Sequence, residues 1–136
     1  MAANDNVALG LAYLNEGNKV KAKEKLLFAL EESPNNPLVL DSMAYFWEVT
    51  QNVALASAFY QKAYDIAPND GAALNNYAVF LCKHGQEKKA ETLFLKAVHL
   101  QNYVHTAKAY ENAGVCALKA GESAKAKEYF TKALVN

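Results

Sequence analysis

Residues 85–98, with the sequence GQEKKAETLFLKAV, decide the fold of this chain. After the turn at Gly85, Ala90, Phe94 and Ala97 recur at i, i+4 and i+7, the spacing of one buried face of a helix. The same small–large–small pattern recurs three times, at Ala22/Leu26/Ala29, Ala56/Tyr60/Ala63 and Ala126/Phe130/Ala133. The copies at residues 22, 56 and 90 are 34 residues apart, and the last follows two residues late. The sequence therefore predicts a repeated helical unit.

A period of 34 residues with two helices per unit is the signature of the tetratricopeptide repeat. The repeats are expected at 3–36, 37–70, 71–104 and 107–136, within a single domain over 1–136. They predict an all-α fold in which four helical hairpins form a right-handed superhelix. Glycine just past the first helix of a hairpin, helix A, provides a left-handed cap at Gly17, Gly85 and Gly121. Gln51 takes this place in repeat 2, which predicts a less tight turn there.

The composition favours a protein-binding surface over nucleic acid or lipid binding. The 136 residues include 14 basic and 14 acidic side chains, so the net charge is zero. No apolar stretch approaches the roughly 18 residues of a membrane span. The first residues have no positive and apolar regions typical of a signal peptide. Either the protein is cytoplasmic, or the sequence begins after a removed leader.

Positions 2, 5, 6, 9 and 13 of each helix A lie opposite the side that faces the second helix of the hairpin, helix B, and are expected to face a concave groove. Position 9 gives the groove an apolar line, amides edge it in repeats 3 and 4, and Lys83 and Lys119 lie near one end. The predicted groove consists of Leu11, Tyr45, Asn75, Asn76, Val79, Glu111, Asn112 and Val115. Such a surface suits an amphipathic helix or an extended peptide. Alternatively, position 9 packs against the next helix A.

Nothing in the sequence indicates an enzyme. The histidines form no His-x-x-x-His pair and there is no Cys-x-x-Cys, so no metal site is predicted. No phosphate-binding glycine loop or nucleophile motif occurs, and we expect neither catalytic residues nor a cofactor.

The two cysteines, Cys82 and Cys116, are expected to face each other across neighbouring A helices. Cys82 is position 12 of repeat 3 and points toward the next repeat, whereas Cys116 is position 10 of repeat 4 and points back. Helices in contact lie about 8–10 Å apart, close enough for a disulfide between facing side chains. The alternative is two small buried thiols.

Three stretches carry a more specific resemblance: residues 75–85 (NNYAVFLCKHG), 111–116 (ENAGVC) and 6–14 (NVALGLAYL). Together they resemble the type IV pilus biogenesis/stability proteins, the PilF/PilW family of pilotin-like tetratricopeptide lipoproteins. The resemblance implies a lipoprotein on the periplasmic face of the outer membrane. Its implied role is to help a secretin assemble there by binding a secretin subunit or another pilus-assembly component.

The alternative function is a cytoplasmic tetratricopeptide scaffold or co-chaperone. A chaperone-binding clamp needs basic residues at groove positions 2, 5 and 6, and among these Lys108 is basic, which disfavours that version. The chain stops at Asn136 without a polar capping element. This predicts either a truncated array or self-association through the last hairpin.

Overall fold

The computed structural model describes residues 2–136, and these form eight helices and no strand. The helices are α1 (Ala3–Asn15), α2 (Lys19–Glu32), α3 (Pro37–Val49), α4 (Val53–Ile66), α5 (Gly71–Lys83), α6 (Glu87–Val98), α7 (Thr106–Lys119) and α8 (Ser123–Leu134). Each odd-numbered helix packs on the even-numbered helix that follows it. The predicted all-α class and its four hairpins are confirmed.

The helices fall into two compact units that divide after Ala67. The first unit contains α1 to α4 and the second α5 to α8. Within the first, α3 packs on both α1 and α2, and within the second, α7 packs on both α5 and α6. That the two units form one domain stays a prediction.

The repeated alanines form the contacts between helices A and B, as the pattern predicted. Ala22, Ala56 and Ala90 are completely buried. A methyl group is small enough for the helix axes to approach closely, and large side chains such as Phe94 fill the remaining space. Gly10 allows an even closer approach, since a Cβ there would lie 2.8 Å from Leu26 Cγ.

The turn between α3 and α4 corrects one prediction. Gln51 adopts the left-handed conformation, with φ of 69°, as do Gly17, Gly85 and Gly121. The Gln51 N–H donates to Glu48 O at 3.1 Å, and the Asn52 N–H donates to Trp47 O at 2.8 Å. These are the two bonds of a Schellman cap. The expected loosening was wrong because the backbone bonds hold the turn despite the side chain.

Asparagine and aspartate side chains begin four of the helices. Asn18, Asn36, Asn52 and Asp70 accept hydrogen bonds from backbone N–H groups in the first turns of α2, α3, α4 and α5. Each cap satisfies a donor that would otherwise have no partner within the helix.

The 36-residue spacing before repeat 4 is accommodated in the second unit by a longer loop. Helix α6 ends at Val98, and α7 begins at Thr106. Tyr103 from this loop lies against Gly71 at the start of α5, so closely that a Cβ on Gly71 would overlap its ring. Glycine at this position thus makes room for the aromatic ring.

Candidate peptide-binding surface

In the first unit, Tyr45 of α3 is the most accessible of the predicted groove residues. Its side chain is 44% exposed, whereas Leu11 of α1 is half-buried and packs against the core that contains Val7 and Leu14. Leu11 therefore contributes to packing as well as to the surface.

In this unit the expected exposure was wrong at position 5 and at position 6 of α3, whereas Ala8, at position 6 of α1, is exposed as expected. Val7 and Asp41, both at position 5, are buried, and so is Ser42 at position 6. The physical reason is that α3 packs on α1 as well as on α4. Because neighbouring A helices cover each other, each buries more than the side that faces its own helix B.

In the second unit, Asn112 and Val115 of α7 lie beside Asn75 and Val79 of α5. The Asn112 side-chain amide donates to Asn75 Oδ1 at 3.2 Å. Val79 is half-buried, and Val115 is 56% exposed. The two helices thus present an amide pair followed by an apolar pair.

A cavity of about 140 Å³ opens beside these residues; we call it the α5/α7 cavity. Its lining consists of Val79, Cys82, Lys83, Phe94, Asn112, Val115, Cys116 and Lys119. Three predicted groove residues, Val79, Asn112 and Val115, are therefore brought together here. Glu111 and Asn76 are exposed and do not line the cavity, and Glu111 lies 3.3 Å from the ammonium of Lys108.

At the lysine end of the cavity, the side chain of Lys119 binds the backbone of α5. Lys119 Nζ donates to Cys82 O at 2.7 Å and to Lys83 O at 3.0 Å. Carbonyls in the last turn of a helix lack intrahelical partners and carry its negative dipole end, so a lysine stabilises them. The sequence placed both lysines near one end of the groove but gave no signal for this capping role.

The wall of the cavity includes both cysteines. The structure joins Cys82 and Cys116 in a disulfide between α5 and α7, with 5.8 Å between the Cα atoms. Oxidation of this pair in the isolated protein stays a prediction, which mass spectrometry of the unreduced chain tests.

Two buried tyrosines anchor carboxylates in the hairpins. Tyr60 OH donates to Glu48 Oε1 at 2.9 Å, and Tyr129 OH donates to Glu91 Oε2 at 2.6 Å. Burial and the adjacent glutamate raise the pKa of each tyrosine hydroxyl above its ordinary value of 10.0. Within residues 2–136, no three His, Cys, Asp or Glu side chains are grouped so that they could hold a metal ion.

Comparison with known proteins identifies the repeats. Two models of the tetratricopeptide repeat match residues 59–92 and 107–134. Tetratricopeptide domains are typically protein-interaction modules without catalytic activity. In the described part of the chain, no helix has the length and apolarity needed to cross a bilayer.

Two of the relatives that match over most of the chain are pilus proteins. The type IV pilus assembly protein PilF of Pseudomonas aeruginosa is 33% identical over 94% of this chain, which spans 51% of that protein. The solved structure of P. aeruginosa PilF superposes with a TM-score of 0.88 at 32% identity, over 97% of this chain and 60% of that one. PilW, described as a widely conserved type IV pilus biogenesis factor, gives a TM-score of 0.90 at 25% identity, over 98% of this chain and 61% of that one. This chain is therefore an all-α tetratricopeptide-repeat protein that is similar to PilF and PilW over nearly its whole length.

Proposed function

We propose that this chain is a protein-binding module of type IV pilus assembly that acts as a pilotin. In this role it binds a segment of a secretin subunit, or of another pilus-assembly component, and assists assembly of the secretin in the outer membrane. The observation that carries the proposal is the similarity to PilF and PilW over nearly the whole chain. The proposed location is the periplasm, with attachment to the outer membrane in the full-length protein.

The exposed apolar residues of the A helices support a peptide-binding role. Tyr45 and Val115 are 44% and 56% exposed, and the asparagine pair Asn75–Asn112 can offer donors and acceptors to a peptide backbone. In the second unit, an aliphatic anchor such as Val115 beside such polar groups is typical of surfaces that bind extended or helical segments. In the first unit, an exposed tyrosine such as Tyr45 is a typical anchor residue by itself.

The test is binding of the purified secretin subunit to the double variant Tyr45→Asp/Val115→Asp. If these side chains are anchors, the affinity should fall about 30-fold, the effect of losing about 2 kcal/mol of contact energy. The matched control is Val20→Asp/Leu134→Asp, which adds the same charge at two sites that are 82% and 87% exposed and outside the predicted groove. Circular dichroism should show unchanged helicity in both variants.

Equal loss of affinity in the two variants would contradict the groove. Absence of secretin binding by the unmodified chain would contradict the pilotin role. Fractionation of cells that express the full-length protein tests the location, and recovery with the cytoplasmic fraction would favour the scaffold alternative.

A further inference from the structure

The α5/α7 cavity has different chemistry at its two ends. Val79, Phe94 and Val115 give it an apolar middle, with the disulfide as part of the wall. The amide of Asn112 lies at one end and the ammonium of Lys119 at the other. These two residues are seven positions apart on α7, so their Cα atoms are about 10 Å apart along the helix, the length of roughly three residues of extended peptide.

The ammonium of Lys119 has no carboxylate partner among the described residues. Its described hydrogen bonds are to two neutral backbone carbonyls. Lys83 is exposed and lines the same end. The Lys119 ammonium beside an apolar cavity favours a ligand that combines an aliphatic group with a carboxylate.

We propose that the α5/α7 cavity binds one aliphatic side chain of an extended peptide segment that carries an acidic residue two positions away. In an extended chain, side chains two residues apart point the same way and lie about 7 Å apart. On α7, Val115 and Lys119 are four positions apart, about 6 Å along the helix axis, which is a comparable spacing. The peptide backbone passes the amide pair Asn75–Asn112 at the other end, so the chain continues on both sides of the anchor.

This inference rests on the proposed peptide-binding role and specifies what one part of the groove recognises. The probe is the blocked pentapeptide acetyl-Glu-Ala-Leu-Ala-Glu-amide, which offers an acidic residue on either side of one leucine. Its two controls replace both glutamates by glutamine, or the leucine by alanine. Binding is followed by NMR through the methyl signals of Val79 and Val115.

The leucine peptide with glutamates should shift both methyl signals in a saturable way. The glutamine peptide should bind about fivefold more weakly, a typical effect of an exposed ion pair, and added salt should reduce the difference. The alanine peptide should produce no saturable shift, because it lacks the group that fills the cavity. Equal affinities of the glutamate and glutamine peptides, or no binding of either, would overturn the inference.

A charge variant tests the lysine end without removing its hydrogen bonds. In Lys119→Gln the side-chain amide can still donate to the carbonyls of α5, so folding should be preserved while the preference for glutamate falls about fivefold. Lys127→Gln is the matched control, since it removes the same charge from an exposed site on α8. An unchanged preference in Lys119→Gln, or an equal fall in Lys127→Gln, would contradict the assignment.

The outcomes separate this inference from the proposed function. If the secretin subunit binds in a manner sensitive to Tyr45→Asp/Val115→Asp but the pentapeptide does not bind, the cavity chemistry is wrong and the groove stands. If the pentapeptide binds as expected and no secretin binding is found, the cavity chemistry stands and the pilotin role is wrong. A peptide that ends in leucine with a free terminal carboxylate is the last comparison. If this peptide binds selectively, the lysine end recognises a chain terminus and not an internal acidic side chain, and the inference is overturned.

Discussion

Replacing Gln51 by glycine should stabilise the protein. Gln51 has φ of 69°, and its exposed side chain makes no hydrogen bond to the described residues. A residue with a Cβ pays about 1–2 kcal/mol in the left-handed conformation. Glycine avoids this strain, but the greater freedom of its unfolded chain offsets about 0.5–1 kcal/mol. The net expectation is a gain of about 0.5–1 kcal/mol in the free energy of unfolding.

The reverse substitution provides the matched control. Gly85 occupies the equivalent turn, with φ of 83°, and no atom lies within 4 Å of a Cβ built there. Gly85→Gln therefore adds backbone strain without a steric clash, and should destabilise by about the amount that Gln51→Gly gains.

Urea denaturation followed by circular dichroism measures both changes, under the same redox conditions. Gln51→Gly should raise the midpoint without changing the slope, and the melting temperature should rise by about 2–4 °C. A neutral or destabilising Gln51→Gly would refute the argument that the left-handed cap is strained, especially if Gly85→Gln were also tolerated.

Three further predictions test the core, the disulfide and the tyrosines. Gly10→Ala should lower the free energy of unfolding by about 1 kcal/mol, because the clash with fully buried Leu26 exceeds the gain in helix propensity. A double-mutant cycle with Leu26→Ala, followed by urea denaturation, measures the coupling between the two residues. Reduction of the disulfide, which joins residues 34 positions apart, should cost about 3–4 kcal/mol; the urea midpoint should fall on adding reductant, and a Cys82→Ala/Cys116→Ala variant should not respond. Folding raises the pKa of the Tyr129 hydroxyl above its ordinary 10.0, so as the pH rises this hydroxyl ionises first in the unfolded chain. The free energy of unfolding should therefore be unchanged below pH 10 and fall above it, and Tyr129→Phe should reduce this fall.

The repeat pattern predicted the core well because the same physical requirement recurs in every hairpin. Ala22, Ala56 and Ala90 must be small wherever two helices cross closely, so their spacing reveals the period and the buried face together. The turn residues were less predictable. The left-handed preference of glycine is a tendency, and at Gln51 the two backbone bonds of the cap override it.

The surface was harder to predict because exposure depends on neighbours outside the hairpin. A helical wheel drawn for one helix A assigned Val7 and Asp41 to the groove, but contacts between A helices bury both. The sequence alone gave no signal that Lys119 caps α5. The contact joins residues 36 and 37 positions apart, which come together when α7 packs on α5. Periodicity identifies which residues share a face, and packing decides whether that face meets solvent.

The packing of α7 on α5 joins the stability of the second unit to its proposed binding role. Asn112, Cys116 and Lys119 follow i, i+4 and i+7 spacing on α7, and each is linked to α5 by a side-chain hydrogen bond, the disulfide or backbone capping. In the first unit the repeated pattern keeps a 34-residue spacing, whereas the spacing before repeat 4 is 36. Here the Asn75–Asn112 hydrogen bond, the disulfide and the capping by Lys119 hold α7 in register with α5. Because the same three residues line the α5/α7 cavity, a change that breaks a link should also change the cavity, so binding and unfolding must be measured together at each of them.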